Sequence, residues 1–413
     1  MTLWNPEWVV ELNGLGDITD LVLSDLTITS GRTDIYSQPV AGYAQFTIIN
    51  LDQSAVNFDV NDRIVIKIKN SLGTYVPIFG GEISDINIAV RSGEPAITQN
   101  VTITALGALS KLPKTLTEGV LTKDFDGDQI YEILQQVLFN RWDQVPAAET
   151  WDNYTSTTTW ENAENSGLGE IDRPGDYELT DRSASTVDIY SLVASLANSG
   201  LGYIYEDSAG RIGYADSTHR SEYLSANGYA YVDGGWAYAN SITTSKRLGD
   251  IRNKVTITYK NGQQETAESA ESISTYGQQG QNIQTSIENG ADALSQAEFY
   301  LDIRAFPQYQ FKSITFPMAN PNIPDASRDQ AFEIFMGLPL DIEDLPYNIA
   351  GGRYQGFVEG WTWTTRFNAL DLTVMVSPVA YSLQAFRWNS VPATESWNTL
   401  SPTLDWNNAT IVA

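Results

Sequence analysis

Cysteine is absent from the 413-residue chain, so no disulfide framework and no thiol chemistry are open to it. Histidine occurs once, at His219, which removes most metal-binding and general-base schemes. No apolar run approaches the roughly 18 residues of a membrane-spanning helix, so no membrane insertion is expected. Met1 to Glu7 lacks both the basic start and the apolar stretch of a secretory signal. Basic residues are scarce: 24 Lys and Arg stand against 51 Asp and Glu, a net charge of −27. A nucleic-acid footprint needs clustered cations to displace counterions, so this surface repels DNA and anionic membranes. The same surplus suits plain solubility, or a wall that DNA slides past without sticking. No GxSxG elbow, Walker loop, HExxH or paired-carboxylate pattern is present. No catalytic residue, cofactor or metal site is expected, and the chain reads as non-enzymatic.

What the chain does have is tryptophan in a repeated setting. RWDQVPAAETWDNYTSTTTWEN starts at Arg141, and RWNSVPATESWNTLSPTLDWNN starts at Arg387; ten of the 22 aligned positions are identical. Trp142, Trp151 and Trp160 match Trp388, Trp397 and Trp406 at the same nine-residue steps. Nine steps of about 100° land on the opposite face of a helix, and nine is odd for a strand. Short extended pieces separated by turns fit better, with Asn, Asp, Ser, Thr and Pro as turn residues. Each copy then gathers three indoles, either as a packing staple or subunit contact, or as a platform on which a sugar stacks.

Patterning divides the rest. Residues 8 to 112 alternate with period two: Ile64, Ile66 and Ile68 oppose Lys67 and Lys69, and Phe46-Thr47-Ile48, Ile83 to Ile88 and Val101 to Ala105 behave alike. Ile130, Ile133, Leu134, Val137 and Leu138 form a helical stripe behind Asp126 and Asp128. Ser185 caps a second helix with Ile189, Leu192, Val193 and Leu196 on one face and Gly200 beyond its end. Tyr203 to Tyr214 reads as a hairpin. Strands resume at Asn253 to Tyr259, and one helix runs from about Ala291 to Arg304 on a stripe of Leu294, Ala297 and Leu301. Gly356 to Trp363 and Leu370 to Val376 close the β pattern, and they echo Phe79 to Ile83 and Asn100 to Thr104. The fold class is therefore mainly β with an α+β insert: two antiparallel β-barrel domains flanking a mixed α/β domain. The expected bounds are 1–115 for the first barrel, 116–245 for the mixed domain holding the first tryptophan segment (141–162), 246–384 for a second barrel with one helix, and 385–413 for the C-terminal tryptophan segment.

The order of four segments resembles the minor tail or tail-tip hub proteins of long-tailed, siphovirus-like bacteriophages. They are Gly31-Arg32 through Tyr43 to Asp52; Ile78 to Ile83 with Val101 to Gly107; the helix at 185–198 with the hairpin Tyr203 to Tyr214 and Ala215 to Arg220; and Asp250 to Thr256 with Ser274 to Gly277. The resemblance implies a structural virion protein at the tail tip, a homotrimeric hub, and with two related barrels in each chain three copies would present six in a ring. Its partners would be the distal tail or tail tube protein and a central tail fibre protein, with DNA passing through unbound. Gly107 departs from the pattern, standing where an acid is common. A hexameric distal tail ring and a host-glycan-binding adhesin using the indoles are the alternative readings.

Three smaller features are weighed against this. Asp124, Asp126 and Asp128 with Glu132 alternate like a calcium loop, yet Gly127 and Glu132 are misplaced for one, so the acids read as helix caps. His219, beside Arg220 after the hairpin, reads as a surface residue. Gly351-Gly352-Arg353 reads as a turn.

Overall fold

Period-two segments become strands in the computed structural model, which describes residues 4–12, 16–18, 22–33, 35, 37–50, 57–92, 97–139, 168–366 and 369–379. Strands β1 (Trp8–Leu12), β2 (Val22–Gly31), β3 (Tyr43–Asn50), β4 (Arg63–Lys69), β5 (Tyr75–Ser92) and β6 (Ile97–Leu106) pair antiparallel in the order β2-β3-β6-β5-β4-β1. Ile64, Ile66 and Ile68 are buried, while Lys67 and Lys69 on the other face pair with Glu11 and Glu7. Ile83 and Ile86 differ in parity, and a bulge between Ile83 and Asp85 brings both to one core. Ile88 runs past that core and is 51% exposed.

Helix α1 (Asp126–Phe139) buries Ile130, Ile133 and Leu134. Strand β7 (Leu168–Ile171) precedes α2 (Ile189–Ser199), which buries the four apolar residues expected of it. Its cap is Asp188 and not Ser185: Val187 and Asp188 first pair with Thr117 and Leu116, so the helix starts later. The Asp188 carboxylate accepts the Ser191 N–H at 2.8 Å. Gly200 follows with φ of −84°, and the left-handed residue is Leu201 at φ 56°.

Strands β8 (Tyr203–Glu206) and β9 (Ile212–Ala215) form the hairpin, turned through Gly210 at φ 81°. All eight residues are buried. Tyr203, Tyr205 and Ala215 belong to one hydrophobic core, and Ile204, Ile212 and Tyr214 to the other. The hairpin is the partition between the two cores. β7 lies parallel to β9, and α3 (His219–Asn227) follows.

A second set of strands begins at β10 (Ala230–Asp233) and β11 (Thr243–Ser245), inside the span expected for the mixed domain. The chain then leaves this set for a separate three-stranded sheet of β12 (Lys254–Tyr259), β13 (Gln263–Glu268) and β14 (Gly280–Gln284), in the order β13-β12-β14. With α4 (Ala270–Tyr276) and α5 (Gly290–Arg304) this sheet precedes the rest of the set. Val255, Ile257, Ala293 and Ala297 join the core of α1 and α2, not a second barrel. β15 (Gln310–Pro317), α6 (Asp325–Phe332), β16 (Pro339–Glu343), β17 (Tyr354–Arg366) and β18 (Ala369–Pro378) complete the second set. Three helices stand here where one was expected, because α4 and α6 are short and polar and carry no apolar stripe. α5 buries Ala293, Gln296 and Ala297, whereas Leu294 is 37% exposed. Its contact face is made of small residues, and the buried Gln296 amide donates to the Ser199 carbonyl at 2.7 Å.

The second set pairs in the order β11-β15-β18-β17-β16-β10, the same connectivity as the first. The matching hairpins β5–β6 and β17–β18 each carry a bulge, at Ile83/Asp85 and at Val358/Gly360. The sets differ at one end, where β10 is parallel to β16 but β1 is antiparallel to β4. Two separate barrels are not what forms. The long β17 pairs β16 with its first half and β2 with its second, from Gly360↔Gly31 to Thr364↔Thr27. That seam merges both sets, with the two-residue strand Gly16–Asp17 beside β1, into one open 13-stranded sheet, and among the described residues neither set closes into a barrel.

Trp363 sits on this seam opposite Ile28, fully buried and 5.9 Å from the Phe332 ring. Trp363→Ala is expected to cost about 3–5 kcal/mol in urea unfolding, because the cavity cannot collapse between paired strands.

Candidate functional site

The seam ends in a buried charge cluster. Glu359 interrupts the apolar run Phe357-Val358-Glu359-Gly360-Trp361 and is 2% exposed. Its Oε2 accepts from Arg32 Nε at 2.6 Å and from Arg220 Nη2 at 3.1 Å. Its Oε1 accepts from Arg220 Nη1 at 2.8 Å and from Ser377 Oγ at 2.5 Å. Backbone geometry fixes the approach: Gly31 has φ 82°, a conformation only glycine adopts readily, and the Arg32 N–H donates to the Glu359 carbonyl at 2.8 Å. The Arg220 guanidinium lies 4.7 Å from the Tyr203 ring centre and 5.1 Å from that of Phe357. Burial alone raises the Glu359 carboxyl, but Arg220 and Arg32 outweigh it and hold it at about 2. One carboxylate thus ties together β2, α3 and β17. Beside it opens a cleft of about 240 Å³, lined by Arg32, Gln38, Tyr203, Asp216, Arg220 and Arg304.

The hairpin makes a second tie. Glu206 accepts the N–H groups of Gly42 and, at 3.1 Å, Leu109. Its carboxylate reaches over from β8 into the space beside Gly107, where any side chain at that position would collide with it. Burial pushes Glu206 up to about 7.

Asp126 and Asp128 stand in the first turn of α1, as expected of acids at a helix N-terminus. Asp126 is buried, accepting the Tyr177 N–H at 2.8 Å and the Tyr214 hydroxyl, and burial pushes it up to about 6. Asp128 pairs with Arg173 at 2.6 Å. Those partners engage Asp126 and Asp128, two of the four acids that alternate like a calcium loop. His219 is displaced from its expected place on the surface. It is 7% exposed, with Nδ1 2.7 Å from Asp172 Oδ2, because Asp172 and Asp216 draw it in. The turn at Gly351-Gly352 forms as expected, with φ of 74° and 99°.

Trp142, Trp151, Trp160, Trp388, Trp397 and Trp406 lie outside the described residues. The tryptophans within them serve packing: Trp361 and Trp363 are buried, and Trp4, Trp8 and Trp236 pack against the first core. Arg32, Arg220, Glu206 and Glu359 were not singled out from the sequence. The available signal for Glu359 was a lone charge at an inward position of an apolar strand. Arg32 and Arg220 fall in the segments that carry the resemblance, but nothing in those segments points to a shared buried carboxylate, and no local signal marks Glu206.

No protein-family model and no curated protein matches the sequence. Solved structures do resemble it in fold. A tail protein from Neisseria meningitidis MC58 is 11% identical over 92% of this chain and 98% of its own, with a TM-score of 0.59. The 43 kDa tail protein of prophage MuSo2 from Shewanella oneidensis is 10% identical over 91% and 100%, with a TM-score of 0.57. Prophage tail protein gp18 from Listeria monocytogenes EGD-e is 10% identical over 90% and 95%, with a TM-score of 0.50.

Glu359→Gln removes the charge that two buried guanidinium groups share, and an expected loss of about 3–5 kcal/mol is measurable by denaturant titration. In the native chain Glu359 is depressed below its ordinary value. Its contribution is therefore complete above the usual carboxylate range and is lost as pH falls through about 2.

Proposed function

We propose that this chain, which has the fold of phage tail proteins, is a structural hub at the tail tip of a bacteriophage. In this reading it assembles as a homotrimer whose six β sets form a ring, joining the tail tube or distal tail protein to a central fibre. The observation that carries the reading is the internal repeat and the edges it leaves open. Within one chain the second half of β17 pairs with β2. The matching half of β5, Asp85 to Ser92, has β6 on one side and no strand on the other among the described residues. β11, the counterpart of β2, likewise has β15 on one side alone.

Ile88 and Val90 on that half of β5 are 51% and 65% exposed. An open edge of this length with β-branched residues is a template for strand pairing. Pairing β5 of one copy with β11 of the next repeats the β17–β2 seam between molecules. Such a head-to-tail contact closes into a ring when its rotation divides a full turn. The charge of −27 supports a channel that DNA crosses without binding. The role is mechanical and not catalytic. The tryptophan segments at 141–162 and 385–413 act as packing staples or subunit contacts in this scheme.

Light scattering on the purified chain is expected to give three times the chain mass. Ile88→Lys with Val90→Lys is expected to give a monomer with an unchanged circular dichroism spectrum. A wild-type monomer, or a trimer that tolerates both lysines, overturns the proposed seam. Deleting residues 385–413 is expected to weaken the assembly; an unchanged oligomer argues against a contact through the second tryptophan segment.

A further inference from the structure

Four acids and the chain's one histidine converge beneath the start of α3. Asp172 Oδ2 lies 2.7 Å from His219 Nδ1 and also accepts the Asp216 N–H at 3.0 Å. Asp216 in turn accepts the N–H groups of Thr218 and His219 at 3.1 and 3.0 Å. Asp176 accepts the Ser217 hydroxyl at 2.5 Å and the Thr218 N–H at 3.1 Å. Glu170, on β7, stands beside them at 7% exposure, and its Oε2 has no hydrogen-bond partner among the described residues.

Among the described residues no lysine or arginine forms an ion pair with these acids, although Arg304 lines the same cleft as Asp216. Arg173 turns away to Asp128 and stacks over Tyr131. β8 contributes Tyr205, whose hydroxyl donates to the Glu170 carbonyl at 3.3 Å. α1 contributes another acid, Asp126, which acts on Asp216. α3 contributes Arg220, whose charge is engaged by Glu359. When every group is ionised, four carboxylates face one imidazolium in a largely buried setting. Binding protons relieves that excess.

These hydrogen bonds shape the turn from Asp216 to His219 that launches α3, and the next residue is Arg220. The geometry points to a proton latch: the Glu170–Asp172–Asp216–His219 cluster holds α3 in place while it is protonated, and it loosens α3 and the Arg220–Glu359 clamp when it loses protons. The cleft lined by Asp216, Ser217 and Arg220 gives solvent a route to it. The sign follows from burial, which pushes Glu170 and Asp216 each up to about 7. Burial opposes a charge on His219, yet its bond to Asp172 and the neighbouring acids hold it above its ordinary value. Groups raised in the folded state contribute stability that is complete below their unfolded values and is lost as pH rises through about 7.

The single histidine makes the test direct. In the full chain with ¹³C-labelled histidine, the His219 resonance is expected to titrate above about 6.5, the ordinary value. In Glu170→Gln its midpoint is expected to fall. Hydrogen–deuterium exchange, corrected for intrinsic rates, is expected to show residues 219–227 about tenfold less protected at pH 8.5 than at pH 6, the effect of one pKa unit. Glu170→Gln is expected to remove most of that difference. If that variant does not fold, Asp216→Asn serves, since its amide oxygen still accepts N–H groups. A wild-type midpoint at or below 6.5, α3 protection equal at both pH values, or a variant with the full pH response overturns the latch.

Discussion

Three segments that lie far apart in sequence meet at the carboxylate of Glu359. Arg32 comes from the first set of strands, Arg220 from the helix behind the hairpin, and Ser377 from the last strand. A buried ion cluster of this kind is a poor source of net stability, because desolvating three charges offsets most of their attraction. What it does is fix register. A one-residue slip of β17 against β2 would turn Glu359 to the opposite face and leave both guanidinium groups buried without it. Few single side chains are so placed that one misalignment strands two charges.

The hairpin β8–β9 works with this cluster. Its strands are buried on both faces, so it gives each core a wall while belonging wholly to neither. Tyr203 lies under Arg220 and Arg32, and Glu206 holds the backbone at Gly42 and Leu109. The central segment is therefore keyed into the β structure at both ends of one strand, by a ring at its start and a carboxylate at its finish.

How much of this could be read in advance depends on the range of the interaction. Period-two runs such as Ile64-Ile66-Ile68 declare their inward face locally, and the α2 stripe and the Gly210 turn do the same. The echo between the two strand sets was also legible in the residues around Phe79 and Phe357, although their merger through β17 and β2 was not. Edge pairing leaves no periodic mark, since the backbone groups that make it are common to all residues. The buried face of α5 was misread because alanine and glutamine, and not leucine, face the core. His219 was misread for a related reason: the carboxylate beside its ring, Asp172, lies 47 positions away. The candidate site belongs to this long-range class almost entirely.

The β17–β2 seam also sets a clock. A hydrogen bond such as that from Leu26 N–H to Thr365 Oγ1 spans 339 positions. At ribosomal speeds of roughly 5–20 residues per second, β2 emerges on the order of 20 to 60 seconds before its partner strand exists. For that interval the nascent N-terminal half carries an open sheet edge, and Arg32 waits for the glutamate that will neutralise it. Loop-closure entropy then delays the join further. The junction thus forms late, only once β17 has been made, so a chain truncated before Tyr354 leaves β2 without its partner strand.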